Sequence, residues 1–537
     1  MPNPTDDLRR RLQIETRADS APSAPAGVLL VPGLTILAHS EVQRVGERAL
    51  LSELAFGREE RIARGEPGFS STARPFQAPL ADPYLSRRPL RLVPGAAPGS
   101  VRLLQGESGT AVVVNGEPLT GERELSEGEI ERGVVLLLTN RVVLLLSFLD
   151  PLGSGGVPSF GLVGESARMV HLRREIQRVA GLDIPVLLRG ETGTGKELIA
   201  RALHEASPRS TRPYLAVNMG AIPQTLAAAE LFGAARGAYT GADRKRDGYF
   251  VRAQGGTLFL DEVGETPPEV QVLLLRALES HEIQPVGSDE PVSVYVRLLA
   301  ATDADLEGEV KAGRFRAPLL HRLAGYEIRV PPLRDRRDDF GRLFYAFLRS
   351  ELEELREGGR LHSLPEGRPF VPAALVARLA AYDWPGNVRQ LRNVVRQLVI
   401  AGRDAGDAGM WLQVERLNDE PTRPIGGDSG PVAVPAAPKP PRKVYRNPEE
   451  VSEEELLAAL RAHRWRLLPT AAALGISRTS LYDRIEKSQR IRKAADLSRE
   501  EIEACRERVS GDLDAMAEAL EVSKRGLQRR MTQLGIA

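Results

Sequence analysis

Eight residues near the middle of the chain, Gly190-Glu191-Thr192-Gly193-Thr194-Gly195-Lys196-Glu197, have the composition of a cradle for a polyphosphate. The glycines let successive backbone N–H groups turn inward around an anion, and Lys196 can reach the β- and γ-phosphates of a nucleotide. Glu197 stands where a hydroxyl residue usually meets Mg²⁺. Further along, Gly255-Gly256-Thr257-Leu258-Phe259-Leu260 ends in two adjacent carboxylates, Asp261 and Glu262. Asp261 can hold Mg²⁺ through water, and Glu262 can orient and deprotonate an attacking water. Together the two motifs read as a nucleoside-triphosphate-hydrolysing site that uses Mg²⁺.

Such a site needs a strand before the glycine-rich loop and a helix after it. The apolar run from Ile184 to Leu188 supplies the first, and Leu198-Ile199-Ala200-Arg201-Ala202-Leu203-His204 the second. The helix start adds a dipole that favours an anion. Strand-like and helix-like segments alternate over residues 161–335, as in an α/β nucleotide-binding core, and a helical region is expected to close it over 336–417. Short apolar runs between turn clusters, from Val28–Val31 to Val142–Leu146, predict an all-β sandwich over 28–150. The most apolar stretch, Val134 to Leu149, is cut by Thr139-Asn140-Arg141 and reads as a β-hairpin, not a membrane span. Residues 1–27 read as disordered, 151–160 and the Pro/Gly-rich 418–446 as linkers, and 447–537 as an all-α region.

The 537 residues carry 73 Lys+Arg against 72 Asp+Glu, so any nucleic-acid surface must be local. The single cysteine, Cys505, excludes an intrachain disulfide and a cysteine-built metal site. The polar start lacks the apolar core of a signal peptide, so a cytoplasmic protein is expected.

From about Gly161 to Gly402 the chain resembles the AAA+ domain of bacterial enhancer-binding proteins, the ATPases that remodel RNA polymerase holoenzyme carrying sigma-54. After Glu230-Leu231-Phe232-Gly233, the run Gly237-Ala238-Tyr239-Thr240-Gly241-Ala242 resembles the loop with which that family contacts sigma-54, with Tyr239 where Phe is usual. The resemblance implies that Asn218 restrains Glu262, and that Arg316 and Arg322 are arginine fingers acting on a neighbouring subunit. That arrangement requires a homo-oligomer, a hexamer by analogy. In Trp384-Pro385-Gly386-Asn387-Val388-Arg389 the resemblance makes Arg389 a phosphate contact from the lid, while Asp303 stands where the sensor I asparagine is usual.

The sandwich resembles a forkhead-associated domain, which binds phosphothreonine peptides. Arg58, Ser86, Arg87 and Asn115 match its phosphopeptide-binding loops. Residues 470–482 resemble a Fis-type helix-turn-helix, which implies enhancer DNA contacts from Arg478, Thr479, Ser480, Tyr482 and Arg484, presented by dimeric DNA-binding units. A shift of 46 residues aligns Leu474, Ser477, Arg478, Leu481 and Arg484 with Leu520, Ser523, Lys524, Leu527 and Arg530. A second DNA-reading unit carrying Lys524, Arg525, Arg529 and Arg530 is therefore expected. The reading of the whole is a transcriptional activator gated by phosphopeptide. Two alternatives stand beside it: a DNA-bound ATPase regulator that does not engage sigma-54, and a phosphopeptide adaptor that uses nucleotide only for assembly.

Overall fold

The computed structural model describes residues 30–151, 156–238, 245–361 and 369–419, then 451–463, 496–508 and single positions between and after these. The start expected to be disordered, and the expected linker from residue 420 on, lie outside the described residues. The chain forms two compact units, Met1–Pro424 and Ile425–Ala537.

The first unit opens with a sandwich of two antiparallel sheets. One is built from β1 (Val31–Ala38), β2 (Arg48–Leu50), β6 (Val112–Val114), β7 (Glu117–Pro118), β9 (Val134–Leu138) and β10 (Val142–Leu149), in the order β2-β1-β10-β9-β6-β7. The other runs β3 (Glu60–Ile62), β4 (Leu90–Pro94), β5 (Val101–Leu104), β8 (Glu122–Leu125). The first strand begins at Val31, the last residue of the Val28–Val31 run, and carries Leu34 and Ile36 into the core. The hairpin expected at residues 134–149 is present: β9 pairs with β10, and Thr139 and Asn140 turn the chain with φ of 48° and 58°. Two consecutive positive φ values match the right-handed twist of a tight hairpin.

In β9 and β10 apolar residues do not alternate with polar ones, because both faces of this sheet are buried. Leu136, Leu138, Leu144 and Leu146 point into the sandwich. Val135, Leu137, Val143 and Leu145 enter a second core together with Phe340, Phe344, Val376, Leu379 and Trp384 of the helical lid. At that seam helix Phe340–Glu354 approaches β1 so closely that a Cβ on Gly341 would sit 2.9 Å from Leu37 O.

The α/β core is a parallel sheet of β11 (Val186–Arg189), β12 (Tyr214–Asn218), β13 (Thr257–Asp261), β16 (Arg297–Thr302) and β17 (Tyr326–Arg329), ordered β12-β13-β16-β11-β17. A small antiparallel pair, β14 (Glu282–Ile283) and β15 (Val292–Ser293), stands beside it. Apolar clusters cover both faces of the parallel sheet, as such sheets require. The register pairs Asn218 with Asp261 and Arg189 with Thr302, so the chemically interesting residues emerge at one edge. The lid holds helices Phe340–Glu354, Ala373–Ala380 and Asn387–Asp419.

Among its described residues the second unit gathers two separate small cores. One holds Val451, Leu456, Leu460, Trp465, Leu474 and Leu481, the other Leu497, Ile502, Cys505, Leu520, Val522 and Leu527. Their helices Glu453–Ala462 and Arg499–Arg508 are each 10 residues long and begin at matching positions of the repeat. Among the described residues no helix is long and apolar enough to cross a membrane.

Candidate active site

The glycine-rich loop joins β11 to helix Lys196–Glu205, with Gly193 and Gly195 at φ of 79° and 103°. Those angles favour glycine and let the loop curl over the helix start. Lys196 Nζ donates to Gly190 O at 2.6 Å and to Glu191 O at 3.3 Å, so it is already held over the loop. Burial lowers its pKa, while Asp303, Asp261 and Glu262 pull it back up. The lid lies directly on the loop. A Cβ on Gly193 would collide with Gly386 O, and Arg389 N donates to Gly193 O at 3.2 Å. This backbone bond fixes the first turn of the last lid helix against the loop.

Around the loop the structure adds a polar frame. Glu191 accepts from Arg334 Nη1 at 2.8 Å and from Asn387 Nδ2 at 3.0 Å, and the Arg334 guanidinium holds its carboxyl below the usual range. Asn387 Nδ2 also donates to Thr192 O at 3.1 Å, and Asn387 Oδ1 accepts from Leu333 N at 2.9 Å. Arg336, buried, donates to Thr194 O at 3.2 Å. Asp303 accepts from the Thr192 hydroxyl at 2.6 Å, so the residue that departs from the usual asparagine is paired to the loop.

Asp261 ends β13 with its Oδ1 accepting from Glu262 N at 3.0 Å. Burial pushes its carboxyl up, against the pull of that amide and of Lys196. Glu262 takes a left-handed φ of 54°, which turns its side chain away from the strand direction. Its carboxylate lies over Gly220: a Cβ there would be 2.6 Å from Glu262 Oε2 and 3.4 Å from Asn218 Oδ1. Asn218 and Glu262 thus meet at one point, although Asn218 Oδ1 is engaged by Ala221 N at 3.1 Å. An oxygen-only donor at Asp261, close to the loop lysine, suits Mg²⁺ bound through water. Glu197 is exposed on the following helix.

Arg316 and Arg322 are both exposed, one at each end of the short helix Ala317–Leu323, with Arg322 Nε on Leu278 O at 3.3 Å. Of the loop resembling the sigma-54 contact, Gly237 and Ala238 are described, while Tyr239, Thr240, Gly241 and Ala242 lie outside the described residues. Its base is closed: Ala234 and Arg246 exchange backbone hydrogen bonds at 2.9 Å, and Arg246 pairs with Glu230 at 2.6 Å.

The sandwich residues do not all converge. Arg58 pairs with Glu53 at 3.1 Å, and Asn115 Oδ1 accepts from Val135 N at 2.8 Å, tying its turn to β9. Ser86 instead adjoins Thr110, whose Oγ1 accepts from Ser86 N at 3.1 Å. It also adjoins Arg64, which donates from its backbone to Ser86 O at 3.1 Å and from Nε to Leu85 O at 3.2 Å. Arg87 and Arg88 are exposed beside them. Sequence reasoning missed Arg64, Arg334 and Arg336; nothing in their local spacing marks them, since each is recruited by a segment distant in the chain.

In the C-terminal unit Arg478, Thr479, Ser480, Tyr482, Lys524, Arg525 and Arg529 lie outside the described residues. The described positions repeat in detail. Ser452 caps its helix by accepting from Glu455 N at 3.1 Å, and Ser498 does the same from Glu501 N at 3.2 Å. Arg484 donates to Val451 O, and Arg530 donates to Leu497 O. Arg484 and Arg530 are therefore held by the protein's own backbone at equivalent places.

Three family models match the chain: the sigma-54 interaction domain over residues 162–329, the AAA+ ATPase lid domain over 334–422, and the bacterial regulatory protein, Fis family, over 447–487. The transcriptional regulatory protein ZraR of Salmonella typhimurium is 41% identical over 341 residues, 63% of this chain and 70% of that protein. The regulatory protein LuxO of Vibrio cholerae is 45% identical over 263 residues, 49% of this chain and 48% of its own. Among solved structures, NtrX from Brucella abortus in complex with ADP is 29% identical, with a TM-score of 0.43 and 70% of each chain covered. The loop, carboxylates and lid described above fall inside the matched residues, and the chain belongs to the sigma-54 activator family: it is an AAA+ ATPase with a helical lid and a Fis-type DNA-binding domain, acting in transcriptional activation.

Proposed function

We propose that the protein hydrolyses ATP in a homo-oligomeric ring, a hexamer, and uses that work to push the 237–242 loop against sigma-54 holoenzyme until the promoter opens. The observation that carries this reading is the parallel register that brings the Lys196 loop, after β11, and Asp261-Glu262, after β13, to one end of the sheet, under a lid that touches the loop. Lys196 and the loop amides bind the phosphates, with Arg389 reaching them from the lid. Asp261 would hold Mg²⁺, and the ion would supply charge neutralisation on the phosphates. Glu262 takes the proton of the attacking water, and Asn218 beside it restrains that carboxylate. Arg316 and Arg322, exposed on one subunit, reach the nucleotide of the next. The test is ATP-dependent open-complex formation by sigma-54 holoenzyme on a promoter with its enhancer. A protein that hydrolyses ATP and never opens the promoter supports instead a regulator that does not engage sigma-54.

The sandwich is the regulatory input, and it takes a phosphothreonine peptide at the Ser86 loop. Arg64 beneath that loop, with Arg87 and Arg88 on its rim, supports this placement more than Arg58 does. Charge-assisted hydrogen bonds are each worth about 1.5–3 kcal/mol. Ser86→Ala or Arg87→Ala should therefore weaken phosphopeptide binding roughly tenfold or more, read by titration of the full-length protein. Equal affinity for phosphorylated and unphosphorylated peptides sinks this input.

Enhancer DNA is read by two helical units in each chain. The matching caps, helix lengths and arginine-to-carbonyl bonds support a duplicated fold, and the sequence of the second unit carries Lys524, Arg525 and Arg529. Replacing these three by alanine should shorten the footprint and make the salt dependence of binding shallower, by up to about 0.9 in the log–log slope for each lost phosphate contact. An unchanged footprint and slope with weakened self-association would make the second unit an assembly element.

A further inference from the structure

The lid does not meet the sandwich by apolar contact alone. Arg48, on β2, pairs with Asp338 at 2.8 Å, and Arg342 donates to Gly46 O at 2.8 Å. Both bonds border the second core, in which Leu37, Ala38 and Val42 of the sandwich pack with Phe340 and Phe344 of the lid. Asp338 belongs to a short connector, Leu333–Asp339, that leads from the core into the lid.

The same connector holds the nucleotide loop from the other side. Arg334 grips Glu191, Arg336 donates to Thr194 O, and Leu333 N orients the Asn387 that binds Glu191 and Thr192. Asp339 accepts from Glu165 N at 2.6 Å and Ser166 N at 2.8 Å, which pins the connector to the start of helix Ala167–Val179. Arg337 completes the set by pairing with Asp383 in the lid. Arg336 breaks the helical turn, with φ −136° and ψ 46°, and this break lets neighbouring side chains face opposite ways. Sandwich, lid, core and phosphate loop therefore all bond to one segment of 7 residues.

We propose that Arg48 and Asp338 are positioning residues of the ATPase: the docked sandwich sets the 333–339 connector, and through it the grip of Arg334 and Arg336 on the phosphate loop. Occupation of the sandwich is then felt as a change in ATP affinity, and reciprocally ATP changes the affinity of the sandwich for its ligand. The inference rests on the ATPase reading of the site but not on the identity of the sandwich ligand.

The experiment uses the full-length protein. In Arg48→Ala the KM for ATP should rise about tenfold while kcat stays within about twofold, the size expected of a coupling between sites. Asp338→Asn should behave alike, and the double variant should be no worse than either single one, because all three remove the same pair. Arg48→Lys should recover most of the affinity. Amide hydrogen exchange at residues 190–196 should quicken in Arg48→Ala, at sites more than a side chain away from the substitution. If Arg48→Ala destabilises the fold, Asp338→Asn carries the same test, since it keeps the shape of the side chain. Unchanged KM and unchanged exchange in a variant that melts like the wild type overturn the proposal. A fall in kcat at constant KM overturns it too, by pointing to subunit assembly. The fall in kcat expected of Glu262→Gln is independent of all these outcomes, so failure of the coupling and failure of the catalytic assignment remain distinguishable.

Discussion

Glu262→Gln should bind ATP and fail to turn it over, with kcat lower by roughly 10²–10⁴-fold, the usual contribution of a positioned general base. Glutamine matches glutamate in shape, so the crowded space over Gly220 is still filled correctly. Its amide cannot accept the proton of the attacking water. The left-handed backbone at this position is set by the turn after β13, and an equal-sized side chain leaves it alone. Steady-state hydrolysis together with equilibrium nucleotide binding checks both halves. Hydrolysis at the wild-type rate would remove Glu262 from the chemistry.

Thr240→Ala should reduce open-complex formation to background and leave ATP hydrolysis within about twofold of wild type, because residue 240 lies outside the nucleotide motifs. The separation follows from how the loop is anchored. Ala234, Arg246 and Glu230 close its base with bonds to one another. A change at residue 240 thus alters what the loop meets, not the site that drives it. Parallel measurement of hydrolysis and promoter opening decides the matter; equal loss of both would assign the loop to folding or assembly.

Much of the active site was legible because its chemistry is local. Gly193, Gly195 and Lys196 are neighbours in the chain, and Asp261 and Glu262 follow directly from an apolar strand. The frame around them was not, since Arg334 and Arg336 reach the loop across 143 and 142 residues of chain. In the sandwich, Asn115-Gly116 is a turn that any hairpin could use, and its side chain is spent on Val135. The Ser86 loop gains its neighbours, Arg64 and Thr110, only when segments distant in the chain fold together. One further signal in the sequence points to the lid. Val134–Leu138 and Val142–Leu146 are apolar at every position, where a sheet facing water on one side would alternate. That pattern requires something to cover the outer face, and the lid does so.

The doubly covered sheet also bears on how such a regulator can change over evolutionary time. A sensory domain on a flexible tether can be exchanged for another by recombination at the tether, with no cost to the motor. Here the ATPase lid and the sheet of the sandwich complete one another through Val135, Leu137, Val143 and Leu145 on one side and Phe340, Phe344 and Val376 on the other. A crossover between them would leave two apolar surfaces without partners and prone to aggregate. The sandwich and the lid are thereby bound to be inherited together, and compensating substitutions should appear in pairs across this seam.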